Sequence, residues 1–183
     1  MKKMKISLRN LLAASVLVSL FSNPAAQKDS TRGFLVKVGD LSPDIKLELL
    51  NGKIISNEDL KGFVTVLQFT ASWCSVCREE MPHLEKEVWQ KFKEENFRLI
   101  GIDRDEPLKT VEKFALDMKI TYPLALDPGA EIFGKFALKE SGVTRNVVID
   151  QNGKIRFLTR LYDKDEFQRM ITVIEQLLEP ERK

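Results

Sequence analysis

The sequence predicts a single mixed α/β sheet with helices on both faces. Strand-like and helix-like segments alternate through the first two thirds of the chain, and an antiparallel hairpin and an amphipathic helix close it. With 183 residues, 43% of them hydrophobic, the chain has room for one full-sized core and hardly for two.

The first predicted elements lead to a central strand. Asn51-Gly52 is a hairpin turn signal between strands 45–49 and 53–55, the first of which alternates apolar and polar residues. Residues 57–61 are expected to form a short helical turn. The run 63–69 is apolar enough to be a central strand that is covered on both faces.

A long helix is predicted from Cys74 to about Glu95. Met81, Leu84, Val88 and Phe92 share one face of it, and Pro82 should kink it because proline removes a backbone donor. The remaining patterns predict strand 97–103, helix 108–118, strand 122–126, helix 129–138, a hairpin of strands 146–150 and 154–158, and helix 164–178.

Residues 1–26 have the pattern of a secretory signal peptide. Four basic residues and no acidic residue accompany an uncharged apolar run from Leu11 to Phe21, which is short for a membrane-spanning helix. We expect export with cleavage after Ala26, and an uncleaved membrane anchor is the alternative. Residues 27–35 are predicted to be a linker, and 36–183 the folded domain.

The charge balance argues against a nucleic-acid partner. Removing the four N-terminal basic residues from the total of 29 leaves 25, against 27 acidic residues. The body of the protein therefore lacks the basic excess that binds phosphates.

The chain has two cysteines, Cys74 and Cys77, separated by two residues at the start of the predicted helix. This spacing lets the two sulfurs meet in a disulfide. The helix N-terminus stabilises a thiolate, so Cys74 should have a lowered pKa and attack first. Cys77 should be shielded and resolve the mixed disulfide. We therefore predict a redox-active dithiol.

Closely spaced cysteines also occur in three other kinds of site: covalent haem attachment, a zinc site and a structural disulfide. Covalent haem attachment needs a histidine directly after the second cysteine, where this chain has Arg78. A closed zinc site needs four ligands, and His83 is the only histidine. A purely structural disulfide remains open, although so small a loop would constrain the unfolded chain little.

The segment Phe69–Pro82, with its Trp-Cys-x-x-Cys junction, resembles the active-site signature of the TlpA/ResA-like thiol-disulfide oxidoreductases. Residues 38–44, 126–128 and 147–154 are similar to further segments of that family, which is related to the AhpC/TSA redoxins. The resemblance implies a thioredoxin fold with an N-terminal β-hairpin and an inserted αβ unit. It also implies a protein in the periplasm or on the outer face of the cytoplasmic membrane, where relatives keep cytochrome c thiols reduced.

By this resemblance, Trp73 is the flat apolar neighbour of the nucleophile, and Glu80 is a carboxylate that tunes the cysteine pair. The alternatives are a core aromatic for Trp73 and a solvated helix face for Glu80, shared with Glu79 and Glu85. A carboxylate near the thiols would raise their pKa values and can relay a proton.

Two positions depart from the family pattern. Val76 replaces the usual proline before the second cysteine, and Thr144 replaces the usual cis-proline of the loop beside the dithiol. The Val143–Thr144 peptide is expected to be trans, because a cis bond before a non-proline residue costs about 2.5–4 kcal/mol. The loop Val143-Thr144-Arg145 is still expected to lie over the cysteines and to offer its backbone to a substrate.

The predicted function is that of an exported thiol-disulfide oxidoreductase, acting as a reductant and without a bound cofactor or metal. The expected partners are protein disulfide or dithiol substrates and a membrane or periplasmic electron-donor protein. A peroxiredoxin-like thiol peroxidase is the alternative, weakened because Thr70 lies four residues before Cys74 rather than three. A non-catalytic domain with a structural disulfide is the third possibility.

Overall fold

In the computed structural model, which describes residues 31–179, seven strands form one mixed sheet. They are β1 (Lys46–Leu49), β2 (Ile54–Ser56), β3 (Val64–Thr70), β4 (Phe97–Arg104), β5 (Leu124–Asp127), β6 (Arg145–Ile149) and β7 (Ile155–Arg160). Their spatial order is β2-β1-β5-β4-β3-β6-β7. Strands β3, β4 and β5 are parallel, and the two outer hairpins are antiparallel. The predicted mixed α/β sheet is therefore confirmed, with its N-terminal hairpin and the inserted unit of helix Leu108–Met118 and β5 at one side.

Helices cover both faces of this sheet. They are α1 (Asn57–Leu60), α2 (Ser75–His83), α3 (Gln90–Phe92), α4 (Leu108–Met118), α5 (Phe133–Phe136) and α6 (Lys164–Leu178). Every residue of β3 is buried, as the apolar run 63–69 predicts. On one face Phe69 packs against Phe133 and Phe136, with ring centroids 5.4 and 5.3 Å away. On the other face Met81 packs with residues of α4 and α6.

Two predicted helices differ from the observed ones. The long helix is interrupted after Pro82, since residues Leu84–Trp89 form a π-helical segment between α2 and α3. Proline lacks the N–H that an α-helix needs and crowds the preceding turn. Helix 129–138 shortens to a 3₁₀ turn and α5, because Gly129 adopts φ 70° and Ala137 is extended.

The predicted signal peptide and residues 27–30 of the predicted linker lie outside the described residues. From Thr31 onward the linker segment packs on the domain. Phe34 is 6% exposed and forms an isolated β-bridge with Ala137, and Arg32 forms a salt bridge with Glu166 at the start of α6. The packed chain thus begins five residues before the predicted boundary at 36.

Candidate active site

The cysteine pair lies where β3 passes into α2. The chain turns after Thr70, and the Cys74 N–H closes the turn by donating to the Ala71 carbonyl at 3.1 Å. Cys74 is the N-cap of α2, and its sulfur accepts a hydrogen bond from the Cys77 N–H at 3.3 Å. Cys74 is partly exposed, whereas Cys77 is fully buried, and both are free thiols. One sulfur can therefore meet a substrate while the other is shielded.

The hydroxyl of Thr144 contacts both sulfurs. Its Oγ1 lies 3.1 Å from Cys74 Sγ and 3.0 Å from Cys77 Sγ. Its peptide is trans, as expected, and its φ is 59°, a conformation that β-branched residues rarely adopt. The Thr144 N–H donates to the Phe69 carbonyl at 3.0 Å, and its carbonyl accepts from Leu161 N–H at 2.8 Å. These bonds hold the strained residue over the dithiol.

The two thiols are strongly inequivalent. The Cys77 thiol, the Thr144 hydroxyl and the N–H groups of Cys77 and Val76 all stabilise the Cys74 thiolate, and together they lower the pKa of Cys74 to about 5 despite partial burial. The hydrogen bond to Cys74 and burial raise the pKa of Cys77 above its ordinary value. At neutral pH Cys74 is thus the nucleophile and Cys77 retains its proton.

Glu80 lies beneath the dithiol in a buried polar network. It is 1% exposed, so the alternative of a solvated helix face is wrong. Its Oε1 accepts from Asn146 Nδ2 at 2.7 Å and its Oε2 from Gln68 Nε2 at 3.5 Å, while Gln68 Oε1 accepts from the Tyr122 hydroxyl at 2.8 Å. Burial raises the pKa of Glu80 to about 8 against the effect of these donors, and the charge of Cys74 raises it further. The carboxyl is therefore protonated at neutral pH.

A second set of hydrogen bonds fixes the turn that precedes Cys74. Glu106 accepts from the Ser72 N–H at 2.5 Å and from the Ser72 hydroxyl at 2.6 Å, and Arg78 Nε donates to the Ser72 carbonyl at 2.8 Å. Asp103 is fully buried behind this turn. Burial and the charge of Glu106 raise the pKa of Asp103 to about 8. All three polar groups of Ser72 are thus held in place.

The other predicted site residues have different surroundings. Trp73 is 64% exposed beside Cys74, so the alternative of a core aromatic is wrong. Val143 is buried in the core, and Arg145 is fully buried with its guanidinium 4.4 Å from the Phe34 ring. Both backbone groups of Thr144 are paired within the protein, and the expectation that the loop Val143-Thr144-Arg145 offers its backbone to a substrate stays a prediction. The loop lies over the cysteines through the Thr144 side chain.

Several site residues were not identified from the sequence. Gln68 and Asn146 pair across β3 and β6, and the signal in the sequence is that both are amide residues inside strands that are buried along their whole length. Ser72 and Glu106 are 34 residues apart in sequence, and no local pattern links them. Within residues 31–179, no group of three or more His, Cys, Asp or Glu is placed to hold a metal ion.

Comparisons with known proteins agree with this geometry. Residues 38–158 match the model of the AhpC/TSA family. The thiol-disulfide oxidoreductase ResA of Bacillus cereus is 30% identical over 145 residues, which cover 79% of each chain. ResA of Halalkalibacterium halodurans is 24% identical over 178 residues, covering 97% of this chain and 95% of that one.

Solved structures establish the fold. The solution structure of a putative protein disulfide isomerase from Bacteroides thetaiotaomicron is 52% identical, with a TM-score of 0.77, and the match covers 80% of this chain and 92% of that one. The thioredoxin domain of a Bacteroides vulgatus thiol-disulfide oxidoreductase, 23% identical, has a TM-score of 0.65 over 79% of this chain and 99% of that one. The predicted thioredoxin fold is confirmed.

Proposed function

Because this chain belongs to the AhpC/TSA family and is a thiol-disulfide oxidoreductase of the ResA kind, we propose that it reduces disulfides of exported proteins through Cys74 and Cys77. The observation that carries the proposal is the asymmetry of the pair. A partly exposed sulfur with a pKa lowered to about 5 stands beside a buried thiol whose pKa is raised.

The reaction follows from that asymmetry. The Cys74 thiolate attacks a substrate disulfide, and one substrate sulfur leaves as a thiol. The resulting mixed disulfide joins Cys74 to the other substrate sulfur. Cys77 then attacks Cys74 Sγ, which releases the second substrate thiol and leaves the Cys74–Cys77 disulfide. The exposed Trp73 offers an apolar surface beside the attacking sulfur.

The role of each cysteine can be tested with a protein disulfide. The wild-type protein should accelerate the reduction of insulin by dithiothreitol, which is followed as turbidity. Cys74→Ser should abolish this acceleration. Cys77→Ser should trap a covalent complex with a substrate. Ser75→Ala, at the exposed position between the cysteines, should reduce insulin at the wild-type rate. Insulin reduction by Cys74→Ser at the wild-type rate would contradict the proposal.

The direction of electron flow is proposed from the relatives. The reduction potential of the Cys74–Cys77 couple, measured against glutathione and dithiothreitol buffers, tests this direction. A reductant should lie near thioredoxin, at roughly −270 mV, and a value near roughly −120 mV would identify an oxidant instead. A disulfide that resists reduction at about −300 mV would favour the structural alternative.

The structure offers an argument against peroxidase activity. Thr70, the residue that would help to shape a peroxide pocket, is buried and donates its hydroxyl to Met81 Sδ at 3.5 Å. We expect no steady turnover of hydrogen peroxide in the presence of thioredoxin and its reductase. Turnover of peroxide without turnover of insulin would favour the peroxidase.

Export is part of the same proposal. It is supported by the signal-like pattern of residues 1–26. Among residues 31–179, no helix is long and apolar enough to cross a membrane. A membrane or periplasmic protein would then supply the electrons. Fractionation and N-terminal sequencing of the mature protein test this: a periplasmic chain that begins at Gln27 is expected, and an intact chain in the membrane fraction would indicate an anchor.

A further inference from the structure

The Thr144 hydroxyl is placed to exchange protons with both reacting sulfurs. Its oxygen is almost equidistant from Cys74 Sγ and Cys77 Sγ, at 3.1 and 3.0 Å, and it is 1% exposed. A hydroxyl has one proton to donate and two lone pairs that accept. It can therefore donate to the Cys74 thiolate while it accepts from the Cys77 S–H.

We propose that Thr144 is a catalytic residue whose hydroxyl passes the Cys77 proton to the leaving substrate sulfur when the mixed disulfide is resolved. This inference rests on the proposed function, because it assigns a role within dithiol–disulfide exchange.

The step balances as follows. The S–H bond of Cys77 breaks, and a bond forms between Cys77 Sγ and Cys74 Sγ. The bond between Cys74 Sγ and the substrate sulfur breaks, and its electron pair goes to the substrate sulfur. Thr144 Oγ1 accepts the Cys77 proton and gives its own proton to the substrate sulfur, which is one S–S bond away from Cys74 Sγ. The Cys77 thiol and the mixed disulfide are thus converted into the Cys74–Cys77 disulfide and a neutral substrate thiol.

The buried surroundings of Cys77 favour this route over the nearby carboxyl. Glu80 is protonated at neutral pH and accepts hydrogen bonds from Asn146 and Gln68. Within residues 31–179, no hydrogen bond joins Glu80 to either sulfur. The Thr144 hydroxyl contacts both.

The backbone of Thr144 also points to a function for its side chain. A β-branched residue held at φ 59° is strained. Glycine would adopt this conformation without that strain. The strained conformation is the one that places the hydroxyl between the sulfurs, and bonds to Phe69 and Leu161 hold it there.

Two oxidants with different leaving groups separate proton transfer from positioning. Rapid mixing of the reduced protein with glutathione disulfide gives a mixed disulfide whose leaving thiolate is basic and needs a proton. The aromatic disulfide DTNB gives one whose nitro-substituted thiolate is weakly basic and leaves without a proton. In both cases the first kinetic phase forms the mixed disulfide. The second phase, whose rate does not depend on the oxidant concentration, reports the attack by Cys77.

The variants are Thr144→Val, which keeps the shape and removes the hydroxyl, and Thr144→Ser, which keeps the hydroxyl. We expect Thr144→Val to slow the glutathione-releasing phase at least tenfold and the aromatic phase by a clearly smaller factor, because Cys77 must lose its proton in both cases but only the glutathione thiolate must also gain one. Thr144→Ser should stay within threefold of wild type in both. Thr70→Val removes a neighbouring buried hydroxyl that bonds to Met81 and to the Cys77 thiol, and it should affect the two leaving groups alike.

Equal slowing of both phases by Thr144→Val would reduce Thr144 to a positioning residue, and no slowing would remove it from the reaction, so either result overturns the proposal. Should Thr144→Val fail to fold, Thr144→Ala takes its place in the same comparison. The solvent isotope effect on the wild-type glutathione phase is then measured as well: a slowing of about twofold or more in heavy water supports the relay, and the absence of any slowing overturns it. A wild-type protein with no second phase at all would instead refute the proposed function.

Discussion

Replacing Glu80 with glutamine should remove a pH-dependent cost from folding. The carboxyl is 1% exposed, and burial raises its pKa from 4.5 to about 8. Below pH 4.5 it is protonated in the folded and the unfolded chain alike. As the pH rises from 4.5 towards 8, the unfolded chain loses this proton while the folded protein keeps it, so stability falls. Above pH 8 both states are ionised and the fall is complete.

The size of the effect follows from the width of that window. At about 1.4 kcal/mol for each pH unit, the free energy of unfolding should fall by about 4 kcal/mol between pH 5 and pH 8. A glutamine amide does not ionise. It still accepts from Asn146 but turns an N–H towards Gln68 Nε2, which adds a cost of about 1 kcal/mol that does not depend on pH.

The measurement is urea unfolding at pH 5, 6, 7, 8 and 9. Both proteins should contain Cys74→Ser and Cys77→Ser, so that no thiol titrates. The stability of Glu80→Gln relative to its parent should rise by up to about 4 kcal/mol from pH 5 to pH 8, and by less to the extent that Cys74→Ser removes the charge that adds to the raised pKa of Glu80. Glu79→Gln, at the exposed neighbouring position of α2, should follow the parent at every pH. Parallel curves for Glu80→Gln and its parent would mean that Glu80 is ionised in the folded protein, and the reasoning would fail.

Two further substitutions test the surroundings of the dithiol. Glu106→Gln leaves one of the two acceptors for Ser72, so it should lower the free energy of unfolding in urea by about 1–3 kcal/mol and shift the Trp73 emission. Glu112→Gln on the exposed face of α4 is the control. Unchanged stability and emission in Glu106→Gln would contradict this prediction. Gly101→Ala places a Cβ against the Leu124 side chain and should cost roughly 1–3 kcal/mol by overpacking, whereas a thermal midpoint equal to that of the wild type would show that the strands can separate there.

Much of the fold follows from local patterns. The apolar run 63–69, the two predicted hairpins and the helical face of Met81 and Leu84 each correspond to an observed element. The order of attack by the two cysteines follows from their spacing at a helix N-terminus, because that position determines which sulfur is exposed and meets the unpaired N–H groups.

What the sequence could not predict depends on pairs that only the sheet brings together. The family resemblance singled out Glu80, but nothing in its immediate sequence distinguishes its burial from the exposure of Glu79. Gln68 and Asn146, on adjacent strands, provide donors for the buried carboxyl oxygens. The same holds for Thr144, whose position opposite the dithiol was predicted by counting along the chain, but whose contact with both sulfurs needed the left-handed backbone.

That left-handed backbone sets a conflict between stability and activity at one residue. Asparagine and glycine tolerate a positive φ better than threonine does, so a search for stabilising substitutions by unfolding temperature alone would select them at position 144. Either would place no hydroxyl between Cys74 and Cys77. A selection for thermal resistance would therefore discard the group that contacts both sulfurs, and only a screen that scores turnover alongside unfolding would retain Thr144.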